Sequence, residues 1–319
     1  MKKIAFLFPG QGSQAIGMGE EFYQQYDFVR EIFDMAAEIS QKNISKLCFK
    51  GPMEELTETI NLQPAITAVN LACLAVLEKE MRGFHFSAGH SLGEYSALCA
   101  SGVISREDAL KLVFKRGVLM NREAKNNKGA MHAILGLPIE AVNEIVENVQ
   151  KEVSGQDNRV VSVANHNTQE QIVITGSPDL VEKASGIAAG KGAKAKALNV
   201  SGAWHSALMK PAQDDFGAYI ETFPFNAPKQ KVILNVTADT SDNGDEIKKI
   251  MSGQLCSPVK WHDSMRKLIE EEVEIFVEVG PGKVLCGLLK KCAPAEYPHQ
   301  LFNVNNMKNL ERFLNVINT

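Results

Sequence analysis

The pentapeptide Gly89-His90-Ser91-Leu92-Gly93 carries the residue in this chain that is best suited to chemistry. Its Gly-x-Ser-x-Gly form is typical of a sharp turn between a strand and a helix, which exposes the serine hydroxyl as a nucleophile. The backbone N–H of the next residue, Leu92, is then available to bind an oxyanion. The motif indicates acyl transfer through an acyl-serine, to water or to another acceptor. A glycine-bordered turn without catalytic meaning is the alternative for five residues taken alone.

The residues on either side of the pentapeptide follow the order that such a turn requires. Residues 85–88 form a short run suited to a buried strand. Residues 92–100 have apolar side chains at helical spacing, and Gly102 ends the pattern. The flanking segments therefore favour a serine held between a strand and a helix.

A serine nucleophile needs a base, and His205 is the best placed of the seven histidines. It follows Val200-Ser201-Gly202-Ala203-Trp204 at the end of a predicted strand, and active-site residues of α/β folds collect at strand ends. A helical pattern begins after it, and the positive partial charge at a helix N-terminus favours a neutral, basic imidazole. His205 is thus the candidate base for Ser91, with a structural histidine as the alternative.

Arg116 gives an independent indication of function. Ser105-Arg106-Glu107-Asp108 resembles a capping box that starts a helix. Arg116 falls on the same face of that helix as the apolar residues Ala109, Leu112, Val113, Leu119 and Met120. A buried guanidinium needs an anionic partner because arginine cannot deprotonate. The partner is either a carboxylate of the protein or the carboxylate of a substrate held by a bidentate clamp.

The loop Gly10-Gln11-Gly12-Ser13-Gln14 follows the first predicted strand. It lacks the glycine spacing of both dinucleotide-binding and Walker loops, so a phosphate-binding role has little support. Its place at the carboxyl end of a strand suits a second oxyanion donor, supplied by a backbone N–H.

Length, charge and cysteine content limit the class of protein. The 319 residues suit one large domain, or one domain with an insertion. A net charge of −4 argues against nucleic acid as a partner. The six cysteines have no paired spacing, so no metal site is expected, and reduced thiols suit the cytoplasm. The apolar run at residues 4–8 is too short for a secretory signal, and no later run approaches membrane-spanning length.

The order of predicted elements indicates an α/β protein with an inserted unit. Strands that alternate with amphipathic helices predict an α/β-hydrolase-like large domain, built on a mainly parallel sheet, from residues 1–127 and 200–319. Residues 128–199 read as strand, helix, strand, strand, helix, strand. This βαββαβ order is the ferredoxin-like arrangement and predicts a small subdomain inserted in the larger one.

Seven segments in order along nearly the whole chain resemble malonyl-CoA:acyl carrier protein transacylases and the acyltransferase domains of polyketide synthases. They are Phe8-Pro9-Gly10-Gln11-Gly12-Ser13-Gln14, Gln63-Pro64-Ala65-Ile66, Gly89-His90-Ser91-Leu92-Gly93-Glu94-Tyr95, Arg116-Gly117, Gly202-Ala203-Trp204-His205-Ser206, Ser257-Pro258-Val259-Lys260-Trp261 and Glu278-Val279-Gly280-Pro281-Gly282. Several motifs in the right order are far more specific than the serine pentapeptide alone.

The resemblance implies a ping-pong reaction. Ser91 would attack the malonyl thioester of coenzyme A while His205 takes its proton, and the phosphopantetheine thiol of acyl carrier protein would then accept the malonyl group. Gln11 and Leu92 would hold the oxyanion through their backbone N–H groups. Arg116 would bind the free carboxylate of malonate. The family orients its histidine with a backbone carbonyl, and the main-chain oxygen of Gln254 is the candidate.

The resemblance also bears on specificity. Leu92 follows the serine, as in malonyl-selective members of the family. His90 and Trp204 are expected in the substrate pocket. Relatives commonly have phenylalanine or serine in place of Trp204, and its bulky ring is expected to crowd an α-methyl group and so favour malonyl.

Two alternatives use the same resemblance. An acyl hydrolase would keep Ser91 and His205 and release the acyl group to water, but related hydrolases tend to lack the arginine that this chain has at Arg116. A non-catalytic docking partner of acyl carrier protein should have lost at least one of these three residues, and all three are present.

The resemblance implies no bound cofactor, and a monomer is the default expectation. Because carrier proteins are usually acidic, the docking candidates are the lysines Lys283, Lys290 and Lys291.

Overall fold

The computed structural model of the protein describes residues 2–81, 83–155 and 158–317. The strands in these ranges are β1 (Lys3–Phe8), β2 (Phe86–Gly89), β3 (Ala130–Leu135), β4 (Val161–Thr168), β5 (Gln171–Gly176), β6 (Lys194–Ala197), β7 (Lys231–Ile233), β8 (Val273–Val279) and β9 (Gln300–Val304). The helices there are α1 (Glu20–Gln25), α2 (Asp27–Ser40), α3 (Ile44–Lys50), α4 (Met53–Thr57), α5 (Thr59–Glu80), α6 (Gly93–Ala100), α7 (Arg106–Asn126), α8 (Ile139–Lys151), α9 (Pro178–Gly190), α10 (Lys210–Ile220), α11 (Gly244–Ser252), α12 (Trp261–Glu270), α13 (Val284–Cys292) and α14 (Met307–Ile317). Two short 3₁₀ turns cover Ala207–Met209 and Gln254–Cys256.

The larger sheet is parallel and has the strand order β7-β2-β1-β8-β9. Its central strand β1 is apolar on both faces because helices cover both sides of the sheet. Phe6 and Phe8 pack into the main core on one side, whereas Ala5 and Leu7 pack into a second core with α12 and α13 on the other. This arrangement confirms the parallel α/β sheet predicted from the sequence.

The smaller sheet is antiparallel, with the order β4-β5-β3-β6. Helix α8 connects β3 to β4 and α9 connects β5 to β6, so the chain has the predicted βαββαβ order of a ferredoxin-like unit. Side chains alternate between its faces, because Ile134 packs with α8 and α9 whereas Met131 and Ala133 join the core of the large sheet. The predicted fold class is confirmed, and the division of the chain at residues 128 and 199 stays a prediction.

Strand β4 joins the smaller sheet to the segment that precedes α12. The N–H of His166 donates to the carbonyl of Val259 (2.9 Å), and the N–H of Val259 donates to the carbonyl of Ala164 (2.8 Å). These two bonds make Asn165 and Val259 a parallel bridge pair between the two units. The small sheet is therefore held by backbone hydrogen bonds close to the point where the large sheet ends.

Helix α5 corrects one expectation from the sequence. It is long and apolar enough, by length and composition, to cross a membrane, with a mean hydropathy of 1.6, contrary to the expectation that no run approaches that length. However, 94% of the 18-residue stretch of α5 that has this hydropathy is buried inside the protein, as expected of a core helix. The helix begins at Thr59 and has Pro64 inside it, because burial on all sides outweighs the helix-breaking tendency of one proline.

Candidate active site

Ser91 lies on a sharp turn between β2 and α6, as the motif predicts. Its backbone has φ of 50°, a conformation that side chains other than glycine rarely adopt. A Cβ on Gly89 would lie 2.1 Å from the carbonyl oxygen of Gly93, and a Cβ on Gly93 would lie 2.0 Å from that of Phe8. The two motif glycines are therefore required because the strand and the helix approach each other without room for a side chain.

His205 contacts the serine directly. Its Nε2 lies 2.8 Å from Ser91 Oγ, and its Nδ1 lies 2.9 Å from the carbonyl oxygen of Ser257 and 3.2 Å from that of Gln254. Carbonyl oxygens only accept hydrogen bonds, so Nδ1 carries the proton and Nε2 is left as the acceptor for the serine hydroxyl. The carbonyl of Gln254 is where the resemblance placed it. The nearer carbonyl, that of Ser257, was not anticipated.

The environment of His205 keeps its imidazole neutral. The ring is buried, and burial disfavours the charged form. Together with the positive charge of Arg116, burial lowers the pKa of His205 to about 3. The histidine is therefore a neutral hydrogen-bond acceptor at ordinary pH, which is the form that a general base requires.

Arg116 is buried on α7, whose N-cap is Ser105 as predicted. Its guanidinium donates from Nη2 to Ser91 Oγ (3.1 Å), from Nη1 to Gln63 Oε1 (3.0 Å) and from Nε to Gln254 Oε1 (3.2 Å). All three acceptors are uncharged, and no salt bridge to Arg116 is formed by the residues that the structure describes. This geometry favours the substrate-clamp hypothesis over a structural ion pair.

Glu94 and Asn235 connect the parts of the site, although no pattern in the sequence predicts a role for either residue. Glu94 is fully buried and accepts hydrogen bonds from the backbone N–H of Asn235 (2.8 Å) and from Nε2 of Gln254 (2.5 Å). Asn235 Oδ1 accepts from the N–H of Ser91 (2.7 Å), and its Nδ2 donates to the carbonyl of Gly89 (2.7 Å). The Glu94 carboxylate thus holds Asn235, which supports the serine turn. It also holds Gln254, which contacts Arg116.

Burial raises the pKa of Glu94 to about 7, and the hydrogen bonds from Asn235 and Gln254 and the charge of Arg116 oppose that rise. The signal for Glu94 in the sequence was its position three residues after the serine, on the helix that starts at the turn. Asn235 had no local signal, since it follows β7 more than a hundred residues later.

The predicted oxyanion donors lie on two loops in close contact. A Cβ on Gly10 would lie 3.5 Å from the backbone nitrogen of Leu92, so the loop that carries Gln11 packs against the serine turn. Ser13 stabilises this loop by donating from its hydroxyl to the carbonyl of Gly10 (2.7 Å). Gln11 and Leu92 both line the cavity at Ser91.

A cavity of about 110 Å³ surrounds the serine and the arginine. It is lined by Gln11, His90, Ser91, Leu92, Arg116, Met120, Met131, Asn165, Leu198, Val200, Trp204 and His205. Trp204 is buried there, and its Nε1 has no hydrogen-bond partner in the described part of the chain. His90 is fixed by a 2.8 Å hydrogen bond between its Nε2 and Oδ1 of Asn167. All predicted site residues except Gln254 therefore line one cavity. Gln254 lies outside the lining and accepts a hydrogen bond from Arg116.

A larger cavity of about 350 Å³ adjoins the first, and the residues that line both are Gln11, His90, Asn165, Leu198 and Val200. Its wall includes residues of the first loop, of the small sheet and of α13. The serine thus lies at the inner end of a passage between the two sheets.

Comparisons with known proteins give a consistent result. A family model described as acyl transferase domain matches residues 5–309. The malonyl CoA-acyl carrier protein transacylase of Bacillus subtilis (strain 168) is 46% identical over 292 residues, which are 91% of this chain and 90% of that protein. The transacylase of the same name from Haemophilus influenzae is 38% identical over 98% of this chain and 100% of that protein.

Two solved structures extend the comparison to the whole fold. An acyl carrier protein S-malonyltransferase from Vibrio cholerae has a TM-score of 0.91 and 38% identity, over 98% of this chain and 99% of that one. A malonyl-transacylase in complex with a type II polyketide synthase acyl carrier protein has a TM-score of 0.91 and 35% identity, over 98% and 99% of the two chains.

Proposed function

The chain belongs to the acyl transferase domain family, and from this membership and the geometry around Ser91 we propose that it transfers the malonyl group from malonyl-CoA to the phosphopantetheine thiol of acyl carrier protein, for fatty-acid or polyketide synthesis. The observation that carries the proposal is the position of Ser91 Oγ. It contacts a neutral imidazole on one side and a buried guanidinium without a carboxylate partner on the other. A nucleophile and an anion clamp within one hydrogen bond of each other suit an acyl group that ends in a carboxylate.

In the first half-reaction, Ser91 Oγ attacks the thioester carbonyl of malonyl-CoA as Nε2 of His205 takes the hydroxyl proton. The negative charge that develops on the carbonyl oxygen is stabilised by the backbone N–H groups of Gln11 and Leu92. The C–S bond then breaks, the coenzyme A sulfur leaves with the proton from His205, and malonyl-Ser91 remains.

The second half-reaction reverses these steps with a different thiol. The phosphopantetheine thiol of the carrier protein gives its proton to His205 and attacks the ester carbonyl of malonyl-Ser91. The C–O bond breaks and Ser91 Oγ recovers the proton. No cofactor or metal is needed in this scheme, because the leaving group and the acceptor are both thiols.

Arg116 gives the reaction its preference for a dicarboxylic acyl group. A malonyl carboxylate can replace the neutral acceptors around the guanidinium with a bidentate, charge-assisted pair. Burial and, to a smaller extent, the charge of Arg116 lower the pKa of His205, and the malonyl carboxylate would offset that charge. Substrate binding therefore makes the imidazole a stronger base at the moment when the serine proton must be removed.

Glu94 and Asn235 act as positioning residues in this scheme. They hold the serine turn and the side chain of Gln254 without contact to the reacting atoms. The carbonyls of Gln254 and Ser257 take the place of a carboxylate at Nδ1 of His205, and they stabilise the imidazolium that forms transiently by accepting a hydrogen bond from its Nδ1–H.

We also propose that the carrier protein approaches over α13. Lys283, Lys290 and Lys291 are exposed on or next to this helix, and Leu285 and Leu288 from the same helix line the larger cavity. An acidic partner attracted to these lysines would have its pantetheine arm at the mouth of the passage to Ser91.

The proposed location is the cytoplasm, and all six cysteines are free thiols in agreement with a reducing compartment. The monomer stays a prediction that sedimentation would check.

Intact-protein mass spectrometry tests the function directly. The protein is mixed with malonyl-CoA, and phosphopantetheinylated acyl carrier protein is added in a second step. We expect a malonyl adduct on Ser91 that persists in water and moves to the carrier, and no adduct in Ser91→Ala. An adduct lost to water before the carrier is added would instead establish a hydrolase, and the absence of any adduct would leave only a docking role.

A further inference from the structure

A second group of side chains suited to chemistry lies outside the cavity at Ser91, where β4 contacts α12. His166 on β4 and His262 and Asp263 on α12 each offer one ligand atom, and these three atoms lie within 4.8 Å of one another. We propose that His166, His262 and Asp263 bind a divalent cation of the zinc class, which ties the small sheet to the large one.

The two imidazole rings lack the partners that histidines usually have. Their centroids are 4.7 Å apart, and one nitrogen of each ring, Nε2 of His166 and Nδ1 of His262, has no hydrogen-bond partner within the described residues. His166 Nε2 and His262 Nδ1 are both shielded from solvent. Buried polar atoms are normally hydrogen-bonded because leaving one unpaired is costly. A cation would give Nδ1 of His262 the partner that the protein does not supply, and His166 would bind the same ion through its Nδ1, the ring nitrogen 4.0 Å from Asp263.

The geometry and the ligand types suit such an ion. Bonds of about 2.0–2.1 Å in a tetrahedral site place ligand atoms about 3.4 Å apart. His262 Nδ1 lies 3.4 Å from Asp263 Oδ1, and His166 Nδ1 lies 4.0 Å from Asp263 Oδ2. The Asp263 side chain is 46% exposed, so it can move to close the longer gap and leaves a path for the ion from solvent. Two imidazoles and one carboxylate, with water as the fourth ligand, match the preferences of Zn²⁺.

Cys292 lies close enough for Asp263 to affect it, but its Sγ donates a hydrogen bond to the carbonyl of Asn167. The thiol already has a partner and is therefore not counted among the ligands.

The position of the cluster gives the ion a structural role. His166 stands between Asn165, which lines both cavities, and Asn167, which holds His90. An ion bound to His166 and to α12 would add a second connection to the backbone hydrogen bonds between β4 and Val259. It would fix the part of the small sheet that forms a wall of the passage.

Titration with Zn²⁺ tests the proposal without any measurement of malonyl transfer. After treatment with a chelator, binding is followed by calorimetry and by the rise in Tm that an ion bound to the folded state produces. We expect about one Zn²⁺ per chain, and about a tenfold or greater loss of affinity in His166→Gln, His262→Gln and Asp263→Asn. Each variant is compared with and without Zn²⁺, so a change in its own stability does not enter the result.

His132→Gln is the matched control. The Nδ1 atom of His132 lies 2.8 Å from Ser185 Oγ, and its Nε2 lies 3.9 Å from the carboxylate of Glu182. His132 therefore has a carboxylate neighbour, as the proposed ligands do, but no second histidine beside it. This variant should bind Zn²⁺ as the parent does. The proposal is wrong if the parent binds no Zn²⁺, or if the three ligand variants bind it as tightly as the parent. If the three ligand variants bind Zn²⁺ as tightly as the parent and Cys292→Ser loses binding, the ion is bound by thiols instead.

Discussion

The guanidinium of Arg116 donates a hydrogen bond to Oγ of Ser91 over 3.1 Å. The group that suits a substrate carboxylate thus lies against the atom that suits attack on the substrate carbonyl. Both are held by residues from other parts of the chain, since Gln254 contacts the arginine through its side chain and the histidine through its carbonyl. The expected effects of substitutions at these residues follow from this arrangement.

Arg116→Ala should lower kcat/KM for malonyl transfer by about 100-fold, because a charge-assisted pair with a buried carboxylate is lost at a cost of about 3 kcal/mol. Transfer of an acetyl group, which has no carboxylate, should be unchanged or faster. Initial rates of carrier acylation with the two CoA esters check this. Arg106→Ala, on the same helix but half exposed and paired with Glu78, should change neither rate. Equal losses for both esters in Arg116→Ala would mean that the arginine is structural.

Glu94→Gln should lower kcat for malonyl transfer by roughly tenfold with little change in KM, because the amide can accept only one of the two hydrogen bonds that the carboxylate accepts. Glu123→Gln alters a buried glutamate that pairs with Arg122 on α7, and it should leave kcat unchanged. If kcat is unchanged in both variants, Glu94 does not position the site.

The stability of Glu94→Gln should depend on pH. Burial raises the pKa of Glu94 to about 7 from its usual 4.5, so between these values the folded protein keeps a proton that the unfolded chain has lost. This contribution to stability is complete below pH 4.5 and is lost as the pH rises through about 7. Glutamine has no such loss. The Tm of the variant minus that of the parent should therefore become more positive between pH 5 and pH 8, and a flat difference would contradict the raised pKa.

Trp204→Phe should weaken discrimination against methylmalonyl-CoA. Trp204 lines the cavity around Ser91, and the smaller ring leaves room for an α-methyl group. The methylmalonyl-to-malonyl ratio of kcat/KM should rise about tenfold, the scale of one methyl group in an apolar pocket. Trp261→Phe changes the other buried tryptophan, which packs on His90 outside the cavity lining, and should leave the ratio unaltered. An unchanged ratio in Trp204→Phe would show that other residues exclude the methyl group.

Gly89→Ala should destabilise the protein by roughly 1–3 kcal/mol and reduce the malonyl adduct on Ser91, because the added Cβ meets backbone that cannot move freely. Gly186→Ala is the control. Gly186 lies on the exposed face of α9, and a Cβ added there meets no neighbouring atom within 4 Å. That change should stabilise the helix by about 0.5–1 kcal/mol. Thermal unfolding of both variants checks the contrast, and a Gly89→Ala protein as stable as the parent would contradict it.

Charge reversal on α13 tests the docking surface. The double variant Lys290→Glu, Lys291→Glu should raise KM for acyl carrier protein and make the rate less sensitive to salt, while formation of malonyl-Ser91 from malonyl-CoA stays normal. Lys151→Glu is the control, because this exposed residue ends α8 on the side of the small sheet away from the large sheet. Equal effects of the two charge changes on KM would place the docking surface elsewhere.

The sequence determined the parts of this protein that depend on local pattern. The Gly-x-Ser-x-Gly turn, the capped helix with Arg116 on its inner face, and the alternation of strands and helices are each set by neighbouring residues. Their steric and hydrogen-bonding preferences act over one or two turns of chain. The βαββαβ unit could be predicted for the same reason, because its order of elements is continuous in the sequence.

The tertiary structure decided what depends on contacts between distant segments. Asn235 and Glu94, whose backbone and side-chain atoms are 2.8 Å apart, are 141 positions apart in the chain, so no local pattern could pair them. The second carbonyl at His205 and the grouping of His166 with His262 arise only when β4 packs beside α12. Helix α5 continues through Pro64 because burial on every side, rather than its own propensity, stabilises it. These partners were fixed by close approach in three dimensions, which acts between segments that are far apart in the chain.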